Sequence, residues 1–384
     1  MTTNVLPKVI LHEHIEGSVT PRVAKLLATT HNITLPEDFF YSPGSYDEVD
    51  FPNGRYLYDE SDFGAFITTY DKVADLIREP SDYYLVVKDY LSRNAQQGMI
   101  YCEIITSAFH LCLDTDGQLN AEKYHAIMDK VEQAIKEVYE EFGTVTRLQA
   151  CAVRHLSADE LAMSMQFMEH NPRGLITGFN IAGNEMAGQF ADFSNVHEGA
   201  DRMGLHKSYH AGEICGPESI TEALKHGAKR IGHGIRAIDD ESVIAELINN
   251  NITLEISPTS NRILVPQMEQ SLVNHPLRKL YDKGVRLSIN TDDAGLFGTD
   301  VDKEYQVAEM QFGLNRIELL DVTLCALEAA FVEEVSKQAL VNSVYEQFTS
   351  EDCKQLARYC EQLTEGSLKS RLTERLQRIT EEGQ

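Results

Sequence analysis

The sequence predicts an α/β protein, a (β/α)8 TIM barrel with a helical insertion after strand 1 and additional C-terminal helices. Three observations point to it. Eight short β-rich runs alternate with amphipathic helical patterns. Polar, chemistry-bearing residues recur where those runs end. No Gly-x-Gly-x-x-Gly loop follows the first run, as a doubly wound dinucleotide-binding sheet would require.

The runs are Lys8–His12, Met99–Ile105, Arg147–Val153, Ile176–Ile181, Lys207–His210, Arg230–Gly232, Ile252–Ile256 and Val285–Thr291. Helical periodicity fills the intervals, as over Ala121–Phe142, Ala158–Glu169, Pro217–His226 and Asp240–Asn249. Strand–helix alternation implies parallel strands with helices outside. No internal repeat or low-complexity linker divides the chain, so residues 1–384 read as one barrel domain. Two stretches depart from the pattern. Residues 30–98 exceed one crossover helix. Asn32–Ser61 reads as loop, and Ser61–Ala74 and Ser81–Gln97 read as helices. An insertion after strand 1 would lie over the C-terminal face, as a lid. Residues 350–384 form a polar helical tail expected to cap the barrel.

With 34 Lys and Arg against 60 Asp and Glu, the chain carries a formal charge of −26. That field repels nucleic acid and anionic membranes, and suits a neutral small substrate. No run of about 18 apolar residues exists to span a membrane. Residues 1–8 lack the basic-then-apolar pattern of a secretory signal. The seven cysteines are scattered, with no Cys-x-x-Cys pair, which argues against a disulfide framework or thiolate zinc site and for a reducing cytoplasm.

Four strand ends carry the chemistry. In Leu11-His12-Glu13-His14-Ile15-Glu16-Gly17, side chains two apart on a strand share a face, so His12 and His14 project together into the barrel mouth as a metal-ligand pair. In Tyr209-His210-Ala211-Gly212-Glu213, His210 is a further ligand, and Glu213 is a carboxylate whose pKa burial would raise for general-acid work. Gly232-His233-Gly234 exposes a histidine between glycines that let backbone approach closely; it suits a base or a water-orienting group. In Thr291-Asp292-Asp293, adjacent acids offer a metal ligand and a substrate acceptor. Each admits an ordinary explanation, such as a turn or an N-capping Asp. Together, three His and a carboxylate on one face of one barrel suit zinc.

With Ala182-Gly183-Asn184-Glu185 and Ser257-Pro258-Thr259-Ser260-Asn261 lying between these segments in order, the chain from about Pro7 to about Val344 resembles the adenosine deaminase family of the amidohydrolase superfamily. The resemblance implies one Zn2+ per subunit on His12, His14, His210 and Asp292. It implies that His233 takes or orients the proton of the attacking water, and that Glu213 protonates N1 of a purine. The same likeness puts His14, Glu16, Gly183 and Asp293 on the substrate, with Asp293 at N7 and the Gly183 amide at N3. The implied reaction is hydrolytic deamination of a purine nucleoside, adenosine or 2′-deoxyadenosine, in purine salvage. Glu16 stands where nucleoside-specific members often carry Asp to hold a ribose hydroxyl; glutamate there also occurs in relatives acting on free adenine. The alternatives are adenine, 6-aminodeoxyfutalosine or an N6-substituted adenine nucleoside, and, from another class, a non-catalytic nucleoside-binding relative. The His-x-Glu and Pro-Cys-x-x-Cys pattern of the other zinc deaminases is absent. Outside these motifs, His155, His206, His226 and His275 read as structural or exposed, Arg154 and Glu103 as a buried pair, and Phe63 and Phe66 as lid or core aromatics.

Overall fold

In the computed structural model, residues 5–60, 62–154, 156–268 and 270–382 are described. His155 and the last two residues of the C-terminal tail lie outside these ranges. Eight strands form one sheet in sequential order: β1 (Lys8–Ile10), β2 (Met99–Thr106), β3 (Val145–Val153), β4 (Ile176–Ala182), β5 (His206–Ala211), β6 (Arg230–His233), β7 (Thr253–Ile256) and β8 (Arg286–Ile289). Every adjacent pair is parallel. All eight predicted runs are strands, shifted by a few residues at their ends. The ring closes at the C-terminal end, just beyond the regular ladders. There His14 N–H donates to Asp292 O at 2.7 Å and Asp292 N–H to His12 O at 3.0 Å, while Ile15 N–H reaches Ile105 O at 3.1 Å. Residues 12–15 therefore continue β1, pinned between β2 and the end of β8.

Helices cover the outside because each strand is buried on both faces and most of the helices turn an apolar stripe toward the sheet. Ala121–Phe142 begins at an Asn120 N-cap and ends at Gly143, whose φ of 79° is the left-handed conformation that ends helices. Arg316–Ala329 is buried almost all round and packs on β8 and β1, so it covers the seam where the ring closes.

The stretch between β1 and β2 divides differently from the simple insertion. α1 (Pro21–Thr30) opens at a Thr20 cap. α2 (Phe63–Ala74) lies over the mouth, where Phe63, Phe66, Ile67 and Tyr70 face a cavity. α3 (Pro80–Gln96) packs on Ala121–Phe142 and β2 as an outer barrel helix. The tail meets the opposite end. Arg371 donates to Gly284 O, just before β8, and pairs with Asp321 at 3.0 Å. No helix among the described residues is long and apolar enough to cross a membrane.

Candidate active site

The four predicted ligands converge. Ligand atoms of His12, His14, His210 and Asp292 all lie within 4.8 Å of one another. His12 Nε2 and His14 Nε2 stand 3.3 and 3.5 Å from Asp292 Oδ1. The backbone is bent to achieve this: Asp292 and His233 hold left-handed φ values of 65° and 61°, which non-glycine residues rarely adopt outside constrained sites. Gly17 is equally constrained, since a Cβ there would lie 1.8 Å from Asp293 Oδ1.

The imidazoles are aimed from behind. His12 Nδ1 bonds Glu255 Oε2 at 2.8 Å, and His210 Nδ1 bonds Asn180 Oδ1 at 2.8 Å. In both, Nδ1 donates to an oxygen, which leaves Nε2 with a lone pair toward the cluster. His12 Nε2 is fully buried with no hydrogen-bond partner. Burial lowers His14 to about 3 and His210 well below its ordinary value, so both are neutral donors. His12 behaves oppositely: burial alone would lower it, but Asp292 and Glu255 outweigh burial and push it up to about 10. Burial opposes ionisation of Asp292, yet its histidine neighbours hold it well below the carboxylate range. The acids around His12 thus demand positive charge at its Nε2, from a proton or from a metal ion in its place, and three imidazoles with one carboxylate are a donor set that fits a divalent metal ion.

Behind this cluster runs a buried ladder that crosses the barrel. Glu255 accepts from Ser208 Oγ at 2.8 Å and Arg230 Nε at 2.5 Å, and Arg230 forks onto Glu103 at 3.0 and 2.5 Å. Glu103 also accepts from Gln149 Nε2 and the Phe331 amide. The expected Arg154–Glu103 pair does not form. Arg154 donates instead to the carbonyls of Ala187 and Gly188, because β3 delivers it to the mouth whereas Glu103 sits deep in the barrel.

The acids have distinct surroundings. Glu213 Oε1 lies 3.4 Å from Asn261 Nδ2 and 3.5 Å from His233 Nδ1. Burial, with Asp292 and Glu185 nearby, raises its pKa well above the carboxylate range. Burial likewise raises Asp293, reinforced by Asp292, and its Oδ1 is buried without a partner. His233 is lowered by burial to about 4 and is neutral. Glu16 Oε2 accepts from Tyr70 OH at 2.9 Å, while its Oε1 is buried and unpartnered, 3.9 Å from His110 Nδ1. Burial raises Glu16, opposed by His110 and Tyr70.

One cavity of about 770 Å3, open mouth included, joins these groups. His14, Glu16, Gly183, His210, Glu213, His233, Asp292 and Asp293 all face it, under the aromatic face of α2. His12 sits behind the wall. Thr106 and Ser107, ending β2, add two buried hydroxyls that no motif marked. Cys151 also lines it, but burial pushes its thiol up to about 12, so it is no nucleophile at neutral pH.

Glu185 does not face the cavity. Its carboxylate accepts the main-chain N–H groups of Gly212 at 2.6 Å, Glu213 at 3.2 Å, Ile214 at 2.7 Å and Cys215 at 2.9 Å, and the Ser219 hydroxyl at 2.9 Å. It latches the loop that carries Glu213. His275, read as structural or exposed, is buried behind the site and bonded to Asn261 at 3.2 Å. His206 is exposed against Phe331.

Three imidazoles and a carboxylate that could hold a divalent metal ion, with an acid kept protonated by burial beside them at the mouth of a parallel barrel, are the arrangement of a hydrolase. The sequence profile described as adenosine deaminase matches residues 7–347, so the chain belongs to the adenosine deaminase family, hydrolytic deaminases acting on C–N bonds. Among curated relatives, the adenine deaminases of Rhizobium rhizogenes and Agrobacterium fabrum are each 35% identical, the first over 88% of this chain and 99% of its own, the second over 89% and 98%. The crystal structure of adenine deaminase from Arthrobacter aurescens superposes with a TM-score of 0.77 at 25% identity, over 89% of this chain and 98% of that one. An N6-methyl-AMP deaminase from Arabidopsis thaliana shares the fold, with a TM-score of 0.70 at 21% identity over 89% and 97% of the two chains.

Proposed function

We propose that this protein deaminates a 6-aminopurine hydrolytically, and that free adenine is the substrate. The observation that carries the choice is Glu16, whose buried Oε1 lacks a partner. Free adenine has a ring N–H on its imidazole edge; a nucleoside has its sugar there. A buried carboxylate oxygen is an acceptor for that N–H, since an unmet polar group in such a place is costly. The relatives from Rhizobium rhizogenes and Agrobacterium fabrum, both adenine deaminases, agree with this choice. Ala182–Glu185 is one of the segments that carry the resemblance to the adenosine deaminase family. In that segment Glu185 serves the loop, leaving Gly183 as the group toward the purine.

His12, His14, His210 and Asp292 would hold Zn2+, which when bound lowers the pKa of water and supplies the nucleophile at neutral pH. His14 also forms part of the cavity wall against the substrate. The water oxygen adds to C6 while Glu213, protonated because it is buried, delivers its proton to N1. Asp293, also protonated, donates its O–H to the N7 lone pair. The Gly183 amide donates to N3. His233 holds the attacking water. The C6–N bond then breaks with a proton passing to nitrogen, so adenine and water give the 6-oxopurine and ammonia.

Ammonia release from adenine, adenosine, 2′-deoxyadenosine and 6-aminodeoxyfutalosine, each with zinc-loaded and chelated protein, tests the assignment. Chelator-sensitive turnover of adenine is expected. Turnover of nucleosides alone would overturn adenine and keep the mechanism.

A further inference from the structure

Proton positions at two of these groups are fixed by residues outside the cavity. The starting point is a main-chain amide, which can only donate. Leu277 N–H donates to His275 Nδ1 at 3.1 Å. His275 is 5% exposed, and burial lowers its pKa to about 3, so the ring is neutral. With Nδ1 accepting, its single proton is on Nε2. His275 Nε2 lies 3.2 Å from an oxygen-bearing arm, Asn261 Oδ1, and donates to it. This settles which way the Asn261 amide faces. Its nitrogen then points at His233 Nδ1, 3.0 Å away, and at Glu213 Oε1, 3.4 Å away. An amide nitrogen has two hydrogens and no acceptor capacity, and here both are used. His233 Nδ1 must therefore accept, and Glu213 Oε1 must accept too.

We propose that His275, anchored by the Leu277 amide, sets through the Asn261 side chain where the protons sit on both His233 and Glu213. On His233 the proton is on Nε2. On Glu213 it is on Oε2. His275 and Asn261 are positioning residues; neither lines the cavity. The consequence for the reaction is definite. His233 offers an N–H toward the ligand cluster, whose His12 and His210 rings lie 5.1 and 5.2 Å from its own. It holds the attacking water by donating to the oxygen rather than by taking its proton. The Asn261 N–H on Oε1 favours the carbonyl form of that oxygen, the better acceptor, so the acid proton of Glu213 falls on Oε2, free to be delivered. Reversing one amide would withdraw both: Asn261 Oδ1 would call a proton onto His233 Nδ1, and would face Glu213 Oε1 oxygen to oxygen.

This inference rests on the deaminase reading for its catalytic meaning, but the relay can be read without turnover. The experiment is a two-bond 15N–1H spectrum of zinc-loaded protein labelled with 15N-histidine, with His233 and His275 assigned by single replacement. Both rings are expected to show a protonated Nε2 and an unprotonated Nδ1. In H275M the donor to Asn261 is lost. His233 is then expected to become a mixture of tautomers, and kcat to fall by about tenfold or more, part of the general-acid contribution, with KM within about twofold because no substrate contact changes. H275Q, which returns an amide N–H to the Nε2 position, is expected to restore both the His233 spectrum and turnover. A wild-type His233 protonated on Nδ1 overturns the relay. So does an H275M protein that keeps both the Nε2–H spectrum and wild-type kcat. A wrong choice of purine would alter the turnover assay and leave the wild-type spectrum as expected.

Discussion

Replacing Glu255 by Gln would test whether the buried ladder behind the ligand cluster governs metal binding. The side chain keeps its shape and loses one acceptor. Glu255 now accepts at both oxygens: His12 at 2.8 Å on one, and Arg230 at 2.5 Å and Ser208 at 2.8 Å on the other. Arg230 can only donate, so the amide oxygen must face it. The amide nitrogen then faces His12 Nδ1 and donates, and the His12 proton moves to Nε2. That is the atom aimed at Asp292, 3.3 Å away, so its lone pair is lost to the metal. Outer-shell replacements of this kind cost about 10- to 100-fold in metal affinity, or about 1.4–2.8 kcal/mol. Fold stability suffers separately. Glu255 is held at about 2 despite burial, chiefly by Arg230 and His12. Losing one charge-assisted bond costs about 1.5–3 kcal/mol, while Arg230 retains its fork on Glu103. Zinc affinity is read by competition with a chromophoric chelator, and stability by thermal unfolding of the metal-free protein. A variant with an unfolding midpoint below wild type but an unchanged zinc Kd would refute the coupling and leave Glu255 as packing.

Other expectations follow from the same geometry. E213Q should bind zinc normally yet lose about 100-fold or more in kcat, since the proton for N1 is gone; wild-type turnover would remove Glu213 from that role. In the wild type, kcat/KM should fall at alkaline pH as the raised carboxyls of Glu213 and Asp293 ionise, since their protonated forms are the working ones; a profile flat through the alkaline range would contradict this. E16D should weaken adenine turnover relative to adenosine, measured as the ratio of kcat/KM, because it withdraws the acceptor beside the N–H edge and frees space. E304Q should be stabilising at pH 8 and neutral at pH 4. Glu304 is raised by burial from 4.5 to about 7, so folding prefers the protonated form. Its contribution is fully present below pH 4.5 and is lost as pH climbs through about 7, to a limit of about 3 kcal/mol; equal effects at both pH values would show that Glu304 does not carry this dependence.

The barrel was legible because strand and helix periods alternate eight times, and the ligand set because its members end strands. His12 and His14 illustrate the limit even of that success. The regular ladder stops at Ile10, and it is four main-chain bonds to residues 105 and 292 that carry the strand geometry on to them. Pairings across the interior were not legible. Glu103 meets Arg230 rather than Arg154 because closure, not spacing, decides which strands face one another at a given depth. His275 sits in a loop after β7 with no periodicity to announce its burial. Its position shows only once Asn261 and His233 are seen together. Glu185 was noticed within a segment resembling a purine contact, yet its partners are backbone amides, which no sequence displays.

Those amides have a consequence for anyone wishing to redesign the enzyme. Glu185 lies two residues beyond Gly183, which faces the cavity, and it holds the loop of Glu213 by four N–H groups and a hydroxyl. Grafting residues 182–185 from a relative of different preference would therefore do two things at once. It would reshape recognition and shift the proton donor. Altered selectivity and lost rate would arrive together, and random libraries confined to this segment would return few active members unless position 185 were kept fixed or its loop were varied alongside.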